Sequence, residues 1–416
     1  MSYRPTRFQV VLLLLALSVL YAMATGFTVY YRVGYALVLA LAGTYVWGKV
    51  GLWGLDVRVQ RRLGYREVGG NFVSQISVTN SAGPKPLLVV QEHTTFPGPG
   101  GGRVINLSTH STEMWANRII ATRRGDYIIG PITVSSSDPL GIFRHRRTFG
   151  TAQQVMVYPA TVPLPLFALP RRGSPGEGER RSPFSSTSPM VTSVREYLPS
   201  DTFGRIHWPS TARTGQLMVK QFEQDTGSDV WLVLDLHRNV QAGEGDDSTE
   251  EYGVTIAASL AHRLLDSGLA VGLFAFGEEP IHMLPGRGYA HQDRIFRSLA
   301  TARAMGGRPL ESALEEGRRL GLDQSTMVII TPSVDPRWPE AANWLFRHGS
   351  QVSTVLLDPA SFGGEGEVPA VADRLASGGV RTYAVRKGDA LSQALARPLY
   401  LPSGRILTPR KTEAPA

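Results

Sequence analysis

The stretch from Val194 to Asn239 combines a dense set of charged and aromatic residues with one strongly apolar segment. The apolar segment, Val230 to Leu236, is interrupted only by Asp235, a pattern expected for a strand buried on both faces of a parallel sheet. Asp235 would lie at the carboxyl end of that strand, where open α/β sheets bind their ligands. The charged and aromatic residues that precede it include Arg195, Tyr197, Asp201, Arg205, Trp208 and Arg213.

Two interpretations of these preceding residues are open. In the first, Asp201, Arg205 and Arg213 form a buried ion-pair network, with Tyr197 and Trp208 as apolar anchors that fix the segment onto the sheet. In the second, the same residues form a docking surface for a partner. A polar network must have its hydrogen bonds and ion pairs satisfied within the protein before it can bind a partner. The structural interpretation is therefore favoured.

Familiar catalytic motifs are missing from the sequence. We find no Gly-x-Ser-x-Gly elbow, no phosphate-binding loop and no His-Glu-x-x-His pattern. Adjacent acidic pairs such as Glu250-Glu251 diverge by about 100° on a helix, which indicates solvated faces. Cysteine is absent, which excludes disulfides, thiolate metal sites and a cysteine nucleophile. A non-enzymatic protein is favoured, and a hydrolase with an unrecognised site, which would need a deep pocket with perturbed carboxylates, remains an alternative.

The elements that must position this stretch begin with a membrane anchor over residues 1–55. Residues 8–31 and 33–55 are each apolar and long enough to span a bilayer, with Arg32 at the turn between them. Basic residues flank both outer ends, and residues 1–181 carry 20 Lys and Arg against 8 Asp and Glu. The positive-inside rule therefore places the rest of the chain in the cytoplasm, attached to the cell membrane by two helices.

A cleaved signal peptide is the alternative interpretation of the first helix. Ala22-Met23-Ala24 resembles a small-x-small cleavage site. The apolar run continues past it and a second span follows, which favours an anchor. Either way the second helix would keep its basic end inside.

Residues 56–162 contain about seven short strand patterns separated by Gly, Pro, Asn and Asp, which predicts an antiparallel β-sandwich. Within this region Arg124-Gly125-Asp126 could be an integrin-type ligand, but a turn between strands is the favoured interpretation in a cytoplasmic domain. A Pro-, Ser- and Arg-rich linker covers residues 163–193, and its isolated Arg pairs lack the aromatic residues of a nucleic-acid surface, so no nucleic-acid partner is expected.

From residue 194 to 397, strand patterns alternate with helix patterns, followed by a loose tail over 398–416. This alternation predicts a doubly wound, mostly parallel α/β sheet. Its predicted strands include Ala270 to Phe276, which a Gly/Pro turn region follows, and Thr326 to Thr331. The predicted helix from Thr249 to Asp266 has Ser248 as its N-cap and Gly268 as its stop. The sequence indicates no oligomeric state.

The signature Arg195-Glu-Tyr197, Asp201, Arg205-Ile-His-Trp208, Ala212-Arg213 closely resembles that of the bacterial domain of unknown function 58 family. The upstream Arg-Gly-Asp-Tyr and Asp138-Pro139-Leu140-Gly141 segments are similar to that family's sandwich region. The resemblance implies a von Willebrand factor A-like last domain. It also implies a MoxR-type AAA+ ATPase as a partner, because genes of the two families are often neighbours.

The von Willebrand resemblance also implies a place for a divalent metal. Metal-binding members of that fold present Asp-x-Ser-x-Ser, a Thr and a later Asp, an all-oxygen shell for a hard cation. Here the corresponding residues are Asp235-x-His237-x-Asn239, Arg308 and Asp335. Because Arg308 could form an ion pair with the carboxylate, a degenerate site without metal is favoured. The remaining ligands for Mg²⁺ or Mn²⁺, in the metal-dependent alternative, would be Asp235, Asn239 and Asp335.

Overall fold

The structure is a computed structural model that describes residues 2–3, 5–63, 67–98, 100–169, 191–197, 206–222, 229–319 and 325–399. The chain divides into two compact units, residues 1–160 and 161–416. The first unit contains a helical hairpin and a β-sandwich, and the second contains an α/β sheet. The predicted loose tail lies outside the described residues from 400 onward, as do residues 170–190 of the predicted linker.

Two apolar helices begin the first unit, α1 (Pro5–Thr25) and α2 (Thr28–Val50), after the short strand β1 (Ser2–Tyr3). Both are long and apolar enough to cross a membrane. The turn between them is at Gly26 and Phe27, so the predicted turn at Arg32 is wrong and Arg32 lies inside α2. The reason is Gly26, whose φ of +67° is the left-handed conformation that ends a helix at little cost for glycine.

The two helices keep their apolar side chains exposed. Leu13, Leu20 and Leu39 are examples, with Leu39 at 72% exposure. The buried positions of α2 are small residues, Gly34, Thr44 and Gly48. Gly34 faces Ser18 of α1, as expected where two helices approach closely. This distribution is typical of helices surrounded by lipid.

The predicted strands of the sandwich are all present, and one is added. They are β2 (Leu55–Leu63), β3 (Asn71–Asn80), β4 (Lys85–Thr94), β5 (Gly102–Leu107), β6 (Thr112–Ile120), β7 (Gly125–Ser137), β8 (Phe143–Phe149) and β9 (Gln153–Val157). The sequence did not predict β8 because its run of Arg and His masks the alternation of a strand.

Antiparallel pairing organises these strands into two sheets. One has the order β2-β3-β6, and the other has the order β1-β8-β7-β4-β5, with β9 also paired to β7. A shared core between the sheets joins Ile76 and Val78 of the first to Leu88, Ile132 and Val134 of the second. The packing of two faces makes this a β-sandwich.

Arg124 of the Arg-Gly-Asp segment is fully buried. A ligand loop would need an exposed arginine. The segment instead leads into β7, which starts at Gly125. The turn interpretation of this motif therefore agrees with the structure.

The base of α2 packs directly on the sandwich. Tyr45 makes edge contacts with Phe143 and His145 of β8, at centroid distances of 5.8 and 5.3 Å. Any side chain at Gly48 would collide with the His145 ring. Lys85 Nζ donates a hydrogen bond to the carbonyl oxygen of Val50 at 2.9 Å, in addition to the one that this carbonyl accepts from the Trp53 N–H.

His145 makes this packing sensitive to pH. Burial is the largest cause that lowers the pKa of His145 from its ordinary 6.5; the charge of Lys49 also lowers it, while Asp138 opposes the shift. In the described part of the chain its buried Nε2 has no hydrogen-bond partner. Because the unfolded chain binds the proton more readily, the stability of the first unit should fall as the pH drops below about 6.5.

We expect the full chain in detergent to lose a few degrees of Tm between neutral pH and mildly acidic pH, with a smaller loss for His145→Phe. Phenylalanine retains the ring contact with Tyr45 but cannot be protonated. Thermal scans of both proteins across this range provide the measurement. An identical pH dependence in both would show that His145 is not responsible.

The second unit begins with a hairpin built from β10 (Val191–Glu196), α3 (Trp208–Thr214) and β11 (Met218–Phe222). The remaining strands are β12 (Val230–Leu234), β13 (Gly243–Glu244), β14 (Asp247–Ser248), β15 (Val271–Phe276), β16 (Pro280–Gly286), β17 (Thr326–Thr331), β18 (Gln351–Leu357) and β19 (Arg381–Val385). The helices are α4 (Thr249–Asp266), α5 (Tyr289–Thr301), α6 (Leu310–Arg319), α7 (Arg337–Arg347), α8 (Val368–Ser377) and α9 (Leu391–Ala394).

Six strands form the main sheet in the order β16-β15-β12-β17-β18-β19. All neighbours are parallel except β16, which is antiparallel to β15. The sequence predicted only a turn region where β16 lies. Its alternating, half-exposed pattern between Gly and Pro residues is typical of an edge strand rather than a buried one.

Helices cover both faces of this sheet. Trp231 and Val233 of β12 pack in one core cluster with α6, α7 and α8. Leu234, which points the other way, lies against Gly253 of α4. The predicted N-cap is confirmed, because the Ser248 side chain accepts a hydrogen bond from the Glu251 N–H.

Candidate functional site

The candidate site lies where β12 and β17 end side by side in the centre of the sheet. If the six strands of the sheet are numbered by their order along the chain, their spatial order is 3-2-1-4-5-6. The direction of winding reverses between strand 1, which is β12, and strand 4, which is β17. Open α/β sheets bind ligands at the carboxyl ends of the strands at such a switch point. Asp235 follows β12 directly and Thr331 closes β17.

Asp235 is buried and both of its carboxylate oxygens accept hydrogen bonds. The Thr331 hydroxyl donates to Oδ2 at 2.6 Å, and the His237 N–H donates to Oδ1 at 3.0 Å. Burial raises the pKa of the Asp235 carboxyl, and these two hydrogen bonds oppose that rise. The carboxylate therefore ties the ends of two adjacent strands together.

The loop after Asp235 is held by a second set of polar contacts. Gln241 Nε2 donates to the carbonyl oxygen of Asp235 at 3.0 Å, and Gln241 Oε1 accepts from the Thr249 hydroxyl at 2.7 Å. The loop also pairs with Gly306, whose N–H donates to Leu236 O at 3.2 Å. A Cβ at Gly306 would overlap the Phe276 carbonyl oxygen, so only glycine permits this close approach.

An open cleft of about 740 Å³ adjoins this loop. Its polar lining includes Asn239, Gln241, Ser333, Asp335, Arg337 and Glu365. Asp335 is engaged by Arg337, with Nη2 at 2.6 Å and Nε at 3.0 Å from its oxygens. The Arg337 hydrogen bond lowers the pKa of Asp335 below its usual range, so this carboxylate is a weak proton acceptor.

The three residues considered as metal ligands, Asp235, Asn239 and Asp335, all lie in this region, but they differ in burial and in hydrogen-bond partners. Asp235 is buried under its two donors, Asn239 is exposed at the cleft, and Asp335 belongs to the ion pair with Arg337. Within the described residues, no group of three or more His, Asp or Glu side chains is arranged to hold a metal ion.

The expected pairing of Arg308 with Asp235 is wrong. Arg308 is exposed and forms an ion pair with Glu316 of α6. The physical reason is burial. Asp235 lies beneath the loop surface, where a hydroxyl and a backbone N–H satisfy it locally.

The signature residues lie on the separate hairpin of β10, α3 and β11. Here β10 and β11 pair in antiparallel fashion, and the Tyr197 N–H donates to Leu217 O at 2.8 Å. Ile206 and Val219 pair with each other and are buried, while Trp208, Arg213 and Leu217 are exposed. The hairpin thus has its own local support.

The prediction that Trp208 is a buried anchor is wrong, because 64% of this residue is exposed. Trp208 begins α3, and the buried residues near it are Ile206 before the helix and Val219 after it. Tyr197 is half-buried. Arg213 is exposed, so the prediction of a buried network that includes it is wrong. Asp201 and Arg205 lie outside the described residues, and Arg195 is described only as a backbone position in β10, so an ion pair between Asp201 and Arg205 stays a prediction.

Residues 193–373 match the family model described as "Protein of unknown function DUF58". This region, less than half of the chain, is similar to the DUF58 family. The resemblance found in the sequence is thereby confirmed. The DUF58 region includes the signature hairpin, the Asp235 loop and the cleft, and it extends into α8.

Similar proteins are themselves uncharacterized. The Bacillus subtilis protein YeaD is 27% identical over 209 residues, which cover 50% of this chain and 50% of that protein. The Mycobacterium tuberculosis protein Rv1480 is 26% identical over 200 residues, or 46% of this chain and 62% of that protein. The matches therefore span about half or a little more of these relatives.

Likeness to solved structures is weak. Proximal thread matrix protein 1 from the mussel byssus has a TM-score of 0.30 and 16% identity, over 40% of this chain and 46% of that chain. The C-terminal domain of wzt has a TM-score of 0.19 and 13% identity, over 26% of this chain and 75% of that chain.

Several residues of the DUF58 site were not predicted from the sequence. They are Thr331, Gln241, Thr249 and Arg337. A signal for Thr331 was present, since it closes a predicted strand that could lie beside the one ending before Asp235. The other three depend on loop paths that no periodicity encodes.

Proposed function

We propose that this chain is a non-enzymatic, membrane-anchored interaction protein whose partner docks on the DUF58 signature hairpin. The observation that carries the proposal is the exposed indole of Trp208 at the start of α3. A large aromatic side chain left in solvent, on a short segment that also exposes a cation and another apolar residue, is typical of an interface.

The docking surface consists of Trp208, Arg213 and Leu217, all exposed. Tryptophan and arginine are the residues that most often dominate binding energy. Hydrogen bonds and the buried Ile206 and Val219 support the hairpin from within. Removal of one exposed side chain from this surface should therefore leave the backbone of the hairpin folded.

The proposed partner is a MoxR-type AAA+ ATPase, as the family resemblance implies. In this proposal the second unit is a von Willebrand factor A-like domain that presents the hairpin to the ATPase. The order of its parallel strands and its antiparallel edge strand support that fold.

The proposed location is the cell membrane, with both α1 and α2 crossing it and the β-sandwich and the second unit on the cytoplasmic side. The exposed apolar faces of the helices and their lengths support the spans. The basic residues next to the outer helix ends, among them Arg7 and Lys49, support the orientation.

The test is affinity capture of the tagged full chain from membranes of its own cells, followed by quantitative mass spectrometry. We expect a MoxR-type ATPase to be enriched with the unaltered chain, and its recovery to fall about tenfold or more with Trp208→Ala. Tyr289→Ala is the matched control, because Tyr289 is an 81% exposed aromatic residue at the start of α5, outside the hairpin.

Equal recovery of the ATPase with Trp208→Ala and with Tyr289→Ala would reject the docking surface. Capture of no AAA+ protein by the unaltered chain would reject the partner. Thermal scans of both variants must show folding like that of the unaltered chain, which the exposure of both side chains leads us to expect.

A further inference from the structure

The turn from Asp138 to Phe143 joins β7 and β8 at the base of the helical hairpin. The buried Asp138 carboxylate accepts hydrogen bonds from the N–H groups of Ile142 at 3.2 Å and Phe143 at 2.6 Å. Gly141 takes a φ of +65°, and its N–H donates to Asp138 O at 3.0 Å. These contacts fix the turn while leaving Leu140 at its tip 54% exposed.

This turn contacts both helices near their outer ends. Phe143 makes edge contacts with Phe8 of α1 and Tyr45 of α2, each at 5.8 Å between centroids. Arg7 Nη1 donates to the Leu140 carbonyl oxygen at 3.0 Å. The turn is therefore held at the level of Phe8 and Tyr45.

In a bilayer that α2 enters at its first residue, that level would lie at the bilayer surface. A helix rises about 1.5 Å per residue, so Tyr45 lies roughly 26 Å along the axis from Thr28, and Val50 roughly 33 Å. The hydrocarbon core is about 30 Å thick. A bilayer that covers α2 from its first residue would end between these two residues, where the turn packs.

The surroundings of the turn are positively charged. Arg7, Lys49 and Arg144 are exposed next to it, while its own carboxylate, Asp138, is buried and engaged by backbone N–H groups. An apolar tip surrounded by cations matches the interface of a membrane that contains anionic lipid.

We propose that the Asp138–Phe143 turn is a lipid-binding element that inserts Leu140 into the interfacial layer of an anionic bilayer. Arg7, Lys49 and Arg144 contact the lipid headgroups around it. The inference rests on the membrane anchoring in the proposed function, and it adds a second, peripheral contact that holds the sandwich against the bilayer.

The absence of cysteine allows a clean test, since one introduced cysteine carries the only label. The full chain is reconstituted in vesicles of phosphatidylcholine and phosphatidylglycerol with an environment-sensitive fluorophore at Leu140→Cys. The control is Ile128→Cys, which is also an exposed apolar position. It lies near the start of β7, about 30 Å along the strand from Ser137, where the turn begins. We expect quenching by aqueous iodide to be at least about threefold weaker at Leu140 than at Ile128.

A third label, at Leu14→Cys in the middle of α1, separates the two proposals. Quenching of this label by deep spin-labelled lipid together with equal iodide access at Leu140 and Ile128 would overturn the inference alone. Absence of lipid quenching at Leu14 would overturn the anchor itself. Protection at Leu140 and lipid quenching at Leu14 would support both.

The preference for anionic lipid has its own readout. Protection of the Leu140 label should decrease in vesicles of phosphatidylcholine alone, and Arg144→Gln should reduce the difference between the two lipid compositions. Equal protection in both compositions would overturn the assignment of anionic lipid.

Discussion

Replacing Asp235 by alanine is expected to lower the free energy of unfolding by about 3 kcal/mol, because one buried and one half-buried donor lose their acceptor. Those donors are the Thr331 hydroxyl, at 2.6 Å, and the His237 N–H, at 3.0 Å. Urea denaturation of the full chain in detergent gives the free energy. Hydrogen exchange by mass spectrometry should show faster exchange in the loops after β12 and β17.

Asp235→Asn is the matched comparison and should cost about 1 kcal/mol, since the amide keeps one acceptor oxygen. Its pH dependence should also differ. Burial raises the pKa of Asp235, so the folded state holds the proton more tightly than the unfolded state and stability decreases as the pH rises from 3.8 through the raised pKa. Asparagine lacks this decrease. A cost below about 0.5 kcal/mol for the alanine variant would show that Asp235 is not a structural tie.

Replacing Glu92 by alanine is expected to destabilise the first unit by about 3 kcal/mol. The Glu92 side chain is fully buried on β4, with Arg61 Nε at 3.3 Å and Asn117 Nδ2 at 3.1 Å from its oxygens. Its removal leaves the guanidinium of Arg61, itself 13% exposed, without its buried counter-charge. A loss of about 6–12 °C in Tm is the corresponding signal in a unit of this size.

Glu113→Ala is the control for this prediction. Glu113 pairs with Arg103 at 3.3 Å, but both side chains are substantially exposed. Such surface pairs contribute about 0–1 kcal/mol, so Tm should change little. Similar losses in the two variants would mean that burial does not decide the strength of the Glu92 pair.

The geometry of the site explains why the Asp235 region can serve as a scaffold. A hydroxyl and an N–H bind the Asp235 carboxylate, and Arg337 binds Asp335. The signature hairpin, by contrast, has an exposed tryptophan, Trp208. These features support our placing of the partner contact on the hairpin rather than at the strand ends.

The fold of the second unit followed largely from local patterns. Helix α4 starts after the predicted cap Ser248, and β17 has the predicted bounds, because caps and continuous apolar runs act within a few residues. The edge strand β16 was missed, because its stability comes from pairing with β15 rather than from its own composition.

The site itself was decided by tertiary structure. The position of Asp235 at a strand end could be predicted from the sequence, but its partner Thr331 is 96 residues away, and only the pairing of β12 with β17 brings them together. The exposure of Trp208 and the pairing of Arg308 with Glu316 likewise depend on how loops and helices pack. Periodicity determines which face of an element is buried, whereas the contacts of a polar side chain depend on chain segments that are distant in sequence.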